Sequence, residues 1–120
     1  MAERRILVVE DDTTLCEVIA EALLEDDYAV ETAGDGQAAL ELARRWRPDL
    51  VILDLMLPHG DGEQLAAALR RVGGLASIPI IVVSASRAAG EAGARLEATA
   101  ALRKPFDLFE LTQRVNDVLR

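Results

Sequence analysis

Three runs of large branched apolar residues punctuate the chain: Ile6-Leu7-Val8-Val9, Leu50-Val51-Ile52-Leu53, and a stretch from Ile78 to Val83 interrupted only by Pro79. Runs of this length without polar alternation read as strands covered on both faces. Two shorter strands complete the set: Tyr28 to Ala33, which alternates, and Ala100-Ala101-Leu102-Arg103.

Between the strands the period changes to that of a helix. Leu15, Val18, Ile19, Ala22 and Leu23 share one face of a first helix, with Thr13 or Thr14 placed to cap it. Gln37 to Trp46 forms a second helix, burying Ala39, Leu40, Ala43 and Trp46, and its arginines Arg44, Arg45 and Arg47 suit a solvated C-terminal end. Pro48-Asp49 stops it and launches the central strand. Glu63 to Val72 forms a third helix with Leu65, Leu69 and Val72 inward, and Arg70-Arg71 reads as another solvated end. Arg87 to Ala98 is the weakest helix: Gly90 and Gly93 each cost about 1 kcal/mol against Ala, and Leu96 is its one large apolar residue. A frayed helix is expected there. Asp107-Leu108-Phe109-Glu110 has capping-box form and opens a last helix burying Leu108, Leu111, Val115, Val118 and Leu119. Five strands alternating with five helices predict one doubly wound α/β domain over residues 1–120, with a five-stranded parallel sheet.

Composition narrows the function. The chain has 13 basic and 21 acidic residues, a net charge of −8, which argues against nucleic-acid contact by this domain. No apolar run has the length of a membrane span, and the apolar stretch after Arg5 is too short for a signal peptide, so a cytoplasmic protein is expected. The single Cys16 has no internal partner and reads as packing. Trp46 and Phe109 also read as packing, and His59 as an exposed loop residue.

The chemistry lies where the strands end. Glu10-Asp11 follows the first strand, Asp54 the third, Ser84 the fourth and Lys104 the fifth. In a parallel sheet these ends share one edge, the edge where open α/β sheets bind ligands. Crowded carboxylates need a cation among them. Oxygen ligands of this kind suit Mg²⁺, and Lys104 adds a point charge of the kind that pairs with phosphate. Asp12 reads as a helix-start acid. Two cations and a hydroxyl around Asp54 make sense if Asp54 is a nucleophile that receives a phosphoryl group.

Taken together, ILVVEDD at 6–12, VILDLMLP at 51–58, Asp61-Gly62, IIVVSA at 80–85 and KPF at 104–106 resemble the receiver domain of bacterial two-component response regulators, over essentially the whole chain. The resemblance implies a flavodoxin-like sheet of order 2-1-3-4-5 and a signalling switch rather than a metabolic enzyme. A sensor histidine kinase or phosphotransfer protein would supply the phosphoryl group, and a downstream effector or output domain would read the change. It implies Asp54 as phosphoacceptor and Glu10, Asp11, Asp54 and the Met56 backbone carbonyl as the Mg²⁺ ligands. Ser84 and Lys104 then attend the phosphoryl group, with a cis bond between Lys104 and Pro105.

The chain departs from the family at three places. Ala101 stands where the family often has a switch aromatic, Glu97 where a glycine is common, and the stretch from Ser84 to Lys104 is about two residues short. The tyrosine-containing pattern typical of DNA-binding regulators that dimerise through the output face at the fourth helix is missing too. These departures keep open a pseudo-receiver, a phosphorylation-independent interaction module. A phosphohydrolase acting through an aspartyl-phosphate is disfavoured, because Met56 occupies the position of the second acid such enzymes need.

Overall fold

The computed structural model describes residues 3–57 and 60–120, so the expectation for His59 falls outside the described residues. Strands β1 (Arg5–Val9), β2 (Ala29–Ala33), β3 (Leu50–Asp54), β4 (Ile80–Ser84) and β5 (Ala100–Arg103) form one parallel sheet. Their order is 2-1-3-4-5, as the resemblance implies. Every residue of β3 and β4 is buried, which explains the apolar run that fills each strand up to its polar last residue, Asp54 or Ser84. One feature lies outside the expected plan: Met56–Leu57 and Gly60–Asp61 pair as a two-rung antiparallel ribbon just after β3.

Helices α1 (Thr13–Glu25), α2 (Gly36–Trp46), α3 (Gly62–Arg70), α4 (Ala89–Arg95) and α5 (Leu108–Leu119) connect and follow the strands. Period-2 alternation sends successive strand residues to opposite faces. Leu7, Val9, Val51, Leu53, Ile80 and Val82 pack with the apolar sides of α2 and α3. Ile6, Val8, Leu50, Ile52, Ile81 and Val83 pack with those of α1 and α5. Each large side chain fully buried this way contributes roughly 1.5–3 kcal/mol. Cys16 belongs to the second core.

Aspartates start three of the helices. Asp12, Asp35 and Asp107 sit in extended backbone, and their carboxylates accept the N–H of Leu15, Ala38 and Phe109. Each satisfies a donor that a helix start leaves unpaired. The cap of α1 is therefore Asp12 rather than Thr13 or Thr14.

Other local expectations are corrected by packing. In α2, Leu42 is buried while Leu40 and Trp46 are only partly so. Helix α4 spans Ala89–Arg95 rather than 87–98, and its buried residues are Ala89, Ala92 and Gly93. Small residues let it lie close to the sheet: a Cβ on Gly93 would stand 2.9 Å from the Cβ of Ala101 on β5. Arg70 is no solvated end. Its guanidinium donates to the carbonyls of Leu96 and Glu97, the exposed C-terminal carbonyls of α4. Phe109 is 72% exposed and packs into neither core.

Candidate functional site

The sheet's C-terminal edge collects the polar residues. Strand β1 delivers Glu10, whose N–H donates to Ala33 O at 3.0 Å, holding the strand exit against β2. Strand β3 ends on Asp54, in register with Val83 of β4. Strand β4 ends on Ser84, whose carbonyl accepts the Lys104 N–H at 2.8 Å just beyond β5. The parallel register thus brings together side chains separated by as many as 94 residues of chain.

Glu10, Asp54 and Ser84 are the buried polar or charged residues among those described, at 2%, 3% and 0% exposure of the whole residue. Each has a partner. The Lys104 ammonium donates to Glu10 Oε1 at 2.6 Å and to Asp54 Oδ2 at 3.1 Å. The other Glu10 oxygen accepts the Asp12 N–H at 3.2 Å, and Asp54 Oδ1 accepts the Met56 N–H at 2.9 Å. Ser84 Oγ accepts the Ser86 N–H at 3.2 Å. Asp11 is exposed at the rim.

Electrostatics follow from this burial. Burial raises the pKa of the Glu10 carboxyl above its ordinary value; the Lys104 bond and the Asp12 N–H oppose the rise, and the Asp54 carboxylate adds to it. Burial works to lower the pKa of the Lys104 ammonium, but its bonds to Glu10 and Asp54 outweigh that, and its pKa lies above the ordinary lysine value. The lysine stays charged.

One oxygen from each of Glu10, Asp11 and Asp54 lies within 4.8 Å of the others. A hard divalent cation that takes a few carboxylates and keeps waters matches such a donor set. The residues present therefore fit Mg²⁺. Asp12 stands apart from this trio, engaged as the α1 cap. Met56, 63% exposed, contributes backbone to the turn that follows Asp54. Beside the edge, a cleft of ≈ 260 Å³ between α3 and α4 is lined by Leu55, Met56, Glu63, Ser84, Ser86 and Arg95, among others. An ion pair of Arg95 with Glu63, at 2.9 Å, lies along it.

The Lys104–Pro105 bond is cis. Ala101 on β5 lies directly against Gly93 of α4. Two contributors were not legible in the sequence. Arg70 and Arg95 tie α4 to α3, and only the packing of those helices selects their partners. Gly62 was legible as part of a motif but not as a packing requirement.

A five-stranded parallel sheet of this order with five helices is a flavodoxin-like fold, here with buried acids and a lysine at its C-terminal edge. Residues 6–116 match the family model described as "Response regulator receiver domain", and the chain belongs to that family. Curated relatives include "Response regulator MprA" of Mycobacterium leprae, 42% identical over 97% of this chain and 51% of that protein. The protein of the same name from Mycobacterium avium is 41% identical over the same shares. The chain spans about half the length of these relatives. Among solved structures, the chemotaxis protein CheY4 of Vibrio cholerae superposes with a TM-score of 0.90 at 30% identity, covering 98% of this chain and 100% of that one. The non-phosphorylated HemR receiver domain of Leptospira biflexa gives 0.87 at 38% identity, covering 97% and 94%.

Proposed function

We propose that this chain is a phosphoacceptor switch, taking a phosphoryl group on Asp54 from a sensor histidine kinase or phosphotransfer protein. The supporting observation is that Asp54, Glu10 and Asp11 converge with the Lys104 ammonium at one strand edge. Mg²⁺, held by Glu10, Asp11, Asp54 and the Met56 carbonyl, would neutralise charge on the transferring group. Asp54 Oδ attacks phosphorus, the bond to the donor nitrogen breaks, and the P–O bond of an aspartyl-phosphate forms. Lys104, already within 3.1 Å of Asp54, pairs with a phosphoryl oxygen, and the Ser84 hydroxyl donates to another. Preorganised positioning and charge carry most of such a transfer. The chain catalyses its own phosphorylation and dephosphorylation and is not a metabolic enzyme.

Its partners are the kinase on one side and an effector or output domain on the other. The net charge of −8 points away from nucleic-acid contact by this domain, and no described helix is long and apolar enough to cross a membrane. A cytoplasmic site of action accords with the reading.

Incubation with acetyl phosphate or phosphoramidate and Mg²⁺ should add one phosphate to the wild type and none to Asp54→Asn, read by intact mass. Equal labelling of the two removes Asp54 from the mechanism.

A second reading, the pseudo-receiver, draws on Ala101, which stands where the resemblance implies a switch aromatic, and on its close approach to Gly93. Under it, partner affinity is indifferent to the state of Asp54.

A further inference from the structure

Gly62 opens α3 at the foot of the turn that leaves Asp54. A Cβ there would fall 2.5 Å from Leu55 Cα, 2.8 Å from Asp54 O and 2.9 Å from Leu55 O. All three are backbone atoms, so no side chain can swing aside to make room. The Gly62 N–H donates to Leu55 O at 3.0 Å, and the ribbon pairs Met56 with Asp61, the residue before Gly62. Leu55 lies between the Asp54 carboxylate and the Met56 carbonyl, and the Met56 N–H returns to Asp54 Oδ1 at 2.9 Å. The first residue of α3 is thus locked against the stretch of main chain that sets two of the four ion ligands named above.

We propose that Gly62 is a positioning residue for the divalent-ion site, holding the Leu55–Met56 turn in register with the Asp54 carboxylate because it lacks a side chain. The inference rests on the phosphoacceptor reading and its Mg²⁺ ligands. Mg²⁺ demands near-ideal octahedral geometry at about 2.0–2.1 Å. Opening the 2.5 Å contact with Leu55 Cα even to 3.0 Å moves main chain by about half an ångström, and a shift of that size reaches the ion as lost affinity even where the fold absorbs it.

Gly93 provides a matched control. It is also a helical glycine whose Cβ would be too close to a neighbour, Ala101 Cβ at 2.9 Å, but that contact lies between α4 and β5 rather than at the exit of β3. Titration of the whole chain with MgCl2 by calorimetry compares wild type, Gly62→Ala and Gly93→Ala, each first shown to unfold cooperatively. Gly62→Ala should bind Mg²⁺ at least tenfold more weakly than wild type, and Gly93→Ala within twofold of it. A folded Gly62→Ala that binds within twofold of wild type overturns the proposal. So does an equal loss in both variants, which would mark general loosening.

Should Gly62→Ala fail to fold, amide exchange in the wild type decides. MgCl2 should slow exchange of the Gly62 N–H at least tenfold; slowing at Met56 with none at Gly62 overturns the proposal. A wild type without saturable Mg²⁺ binding defeats the ion reading itself, and this inference with it.

Discussion

Lys104 bridges Glu10 and Asp54 unevenly, with its ammonium 2.6 Å from the first and 3.1 Å from the second. Counting side-chain atoms alone, the two acids are 1% and 4% exposed and the lysine 21%. Without the lysine, two buried acids would face each other uncompensated. Stripping one partner from a buried pair costs about 3–5 kcal/mol, and the partial exposure of Lys104 trims that through screening. Lys104→Met should lose about 2–3 kcal/mol in metal-free urea unfolding at neutral pH. A loss too small to measure would show that the acids do not depend on this cation.

Glu10 gives a pH dependence of definite sign. Its folded pKa lies above the ordinary value of 4.5, chiefly because of burial. A raised carboxyl pKa means that the folded state binds its proton more tightly than the unfolded chain does. Its stabilising contribution is full below the unfolded value and is lost as pH rises through the folded one. Glu10→Gln cannot ionise, so without metal its melting temperature should gain on that of the wild type as pH rises from 4.5 towards neutrality. Saturating Mg²⁺ should reverse the order at neutral pH, because an amide is the poorer ligand. Parallel melting curves in chelator across that range would contradict the burial cost assigned to this carboxyl.

The two glycines of α4 should respond in opposite directions to the same substitution. Gly90 has nothing within 4 Å of a built Cβ, whereas Gly93 meets Ala101 at 2.9 Å. Gly90→Ala should stabilise by about 0.5 kcal/mol through helix propensity. Gly93→Ala should forfeit that gain and destabilise by about 1 kcal/mol or more, as overpacking does. Thermal unfolding of the pair checks this, and equal gains would mean that α4 does not sit on β5 as described.

Arg70 holds α4 by its C-terminal carbonyls, donating to Leu96 and Glu97. Arg70→Met keeps much of the apolar stem and removes the donors. A net cost of about 1 kcal/mol is expected, with faster amide exchange concentrated in Ala89–Arg95. Uniform acceleration across the domain would instead mark Arg70 as a general stabiliser.

The sequence by itself determined the strand–helix alternation, the two-faced sheet and the residues at the strand ends. Those features are written in local periodicity, and an unbroken run such as Leu50 to Leu53 admits only a narrow set of environments. The C-terminal edge followed because parallel strands must end together. Local patterning also separated Asp12 from the trio Glu10, Asp11 and Asp54, though it named the wrong residue as the α1 cap.

Tertiary structure alone decided which helices touch and what their small residues accommodate. Arg70 and the terminal carbonyls of α4 lie about 26 residues apart in sequence, and no period links them. Gly93 looked like a defect in a helix, and Ala101 like a missing part, until the close approach of α4 to β5 joined them in one contact. The same holds for Gly62: a letter pattern marks a turn, but a clash with backbone exists only once the chain has closed on itself. Hydrophobic period is a property of neighbours along the chain, whereas steric exclusion and charge pairing are properties of neighbours in space.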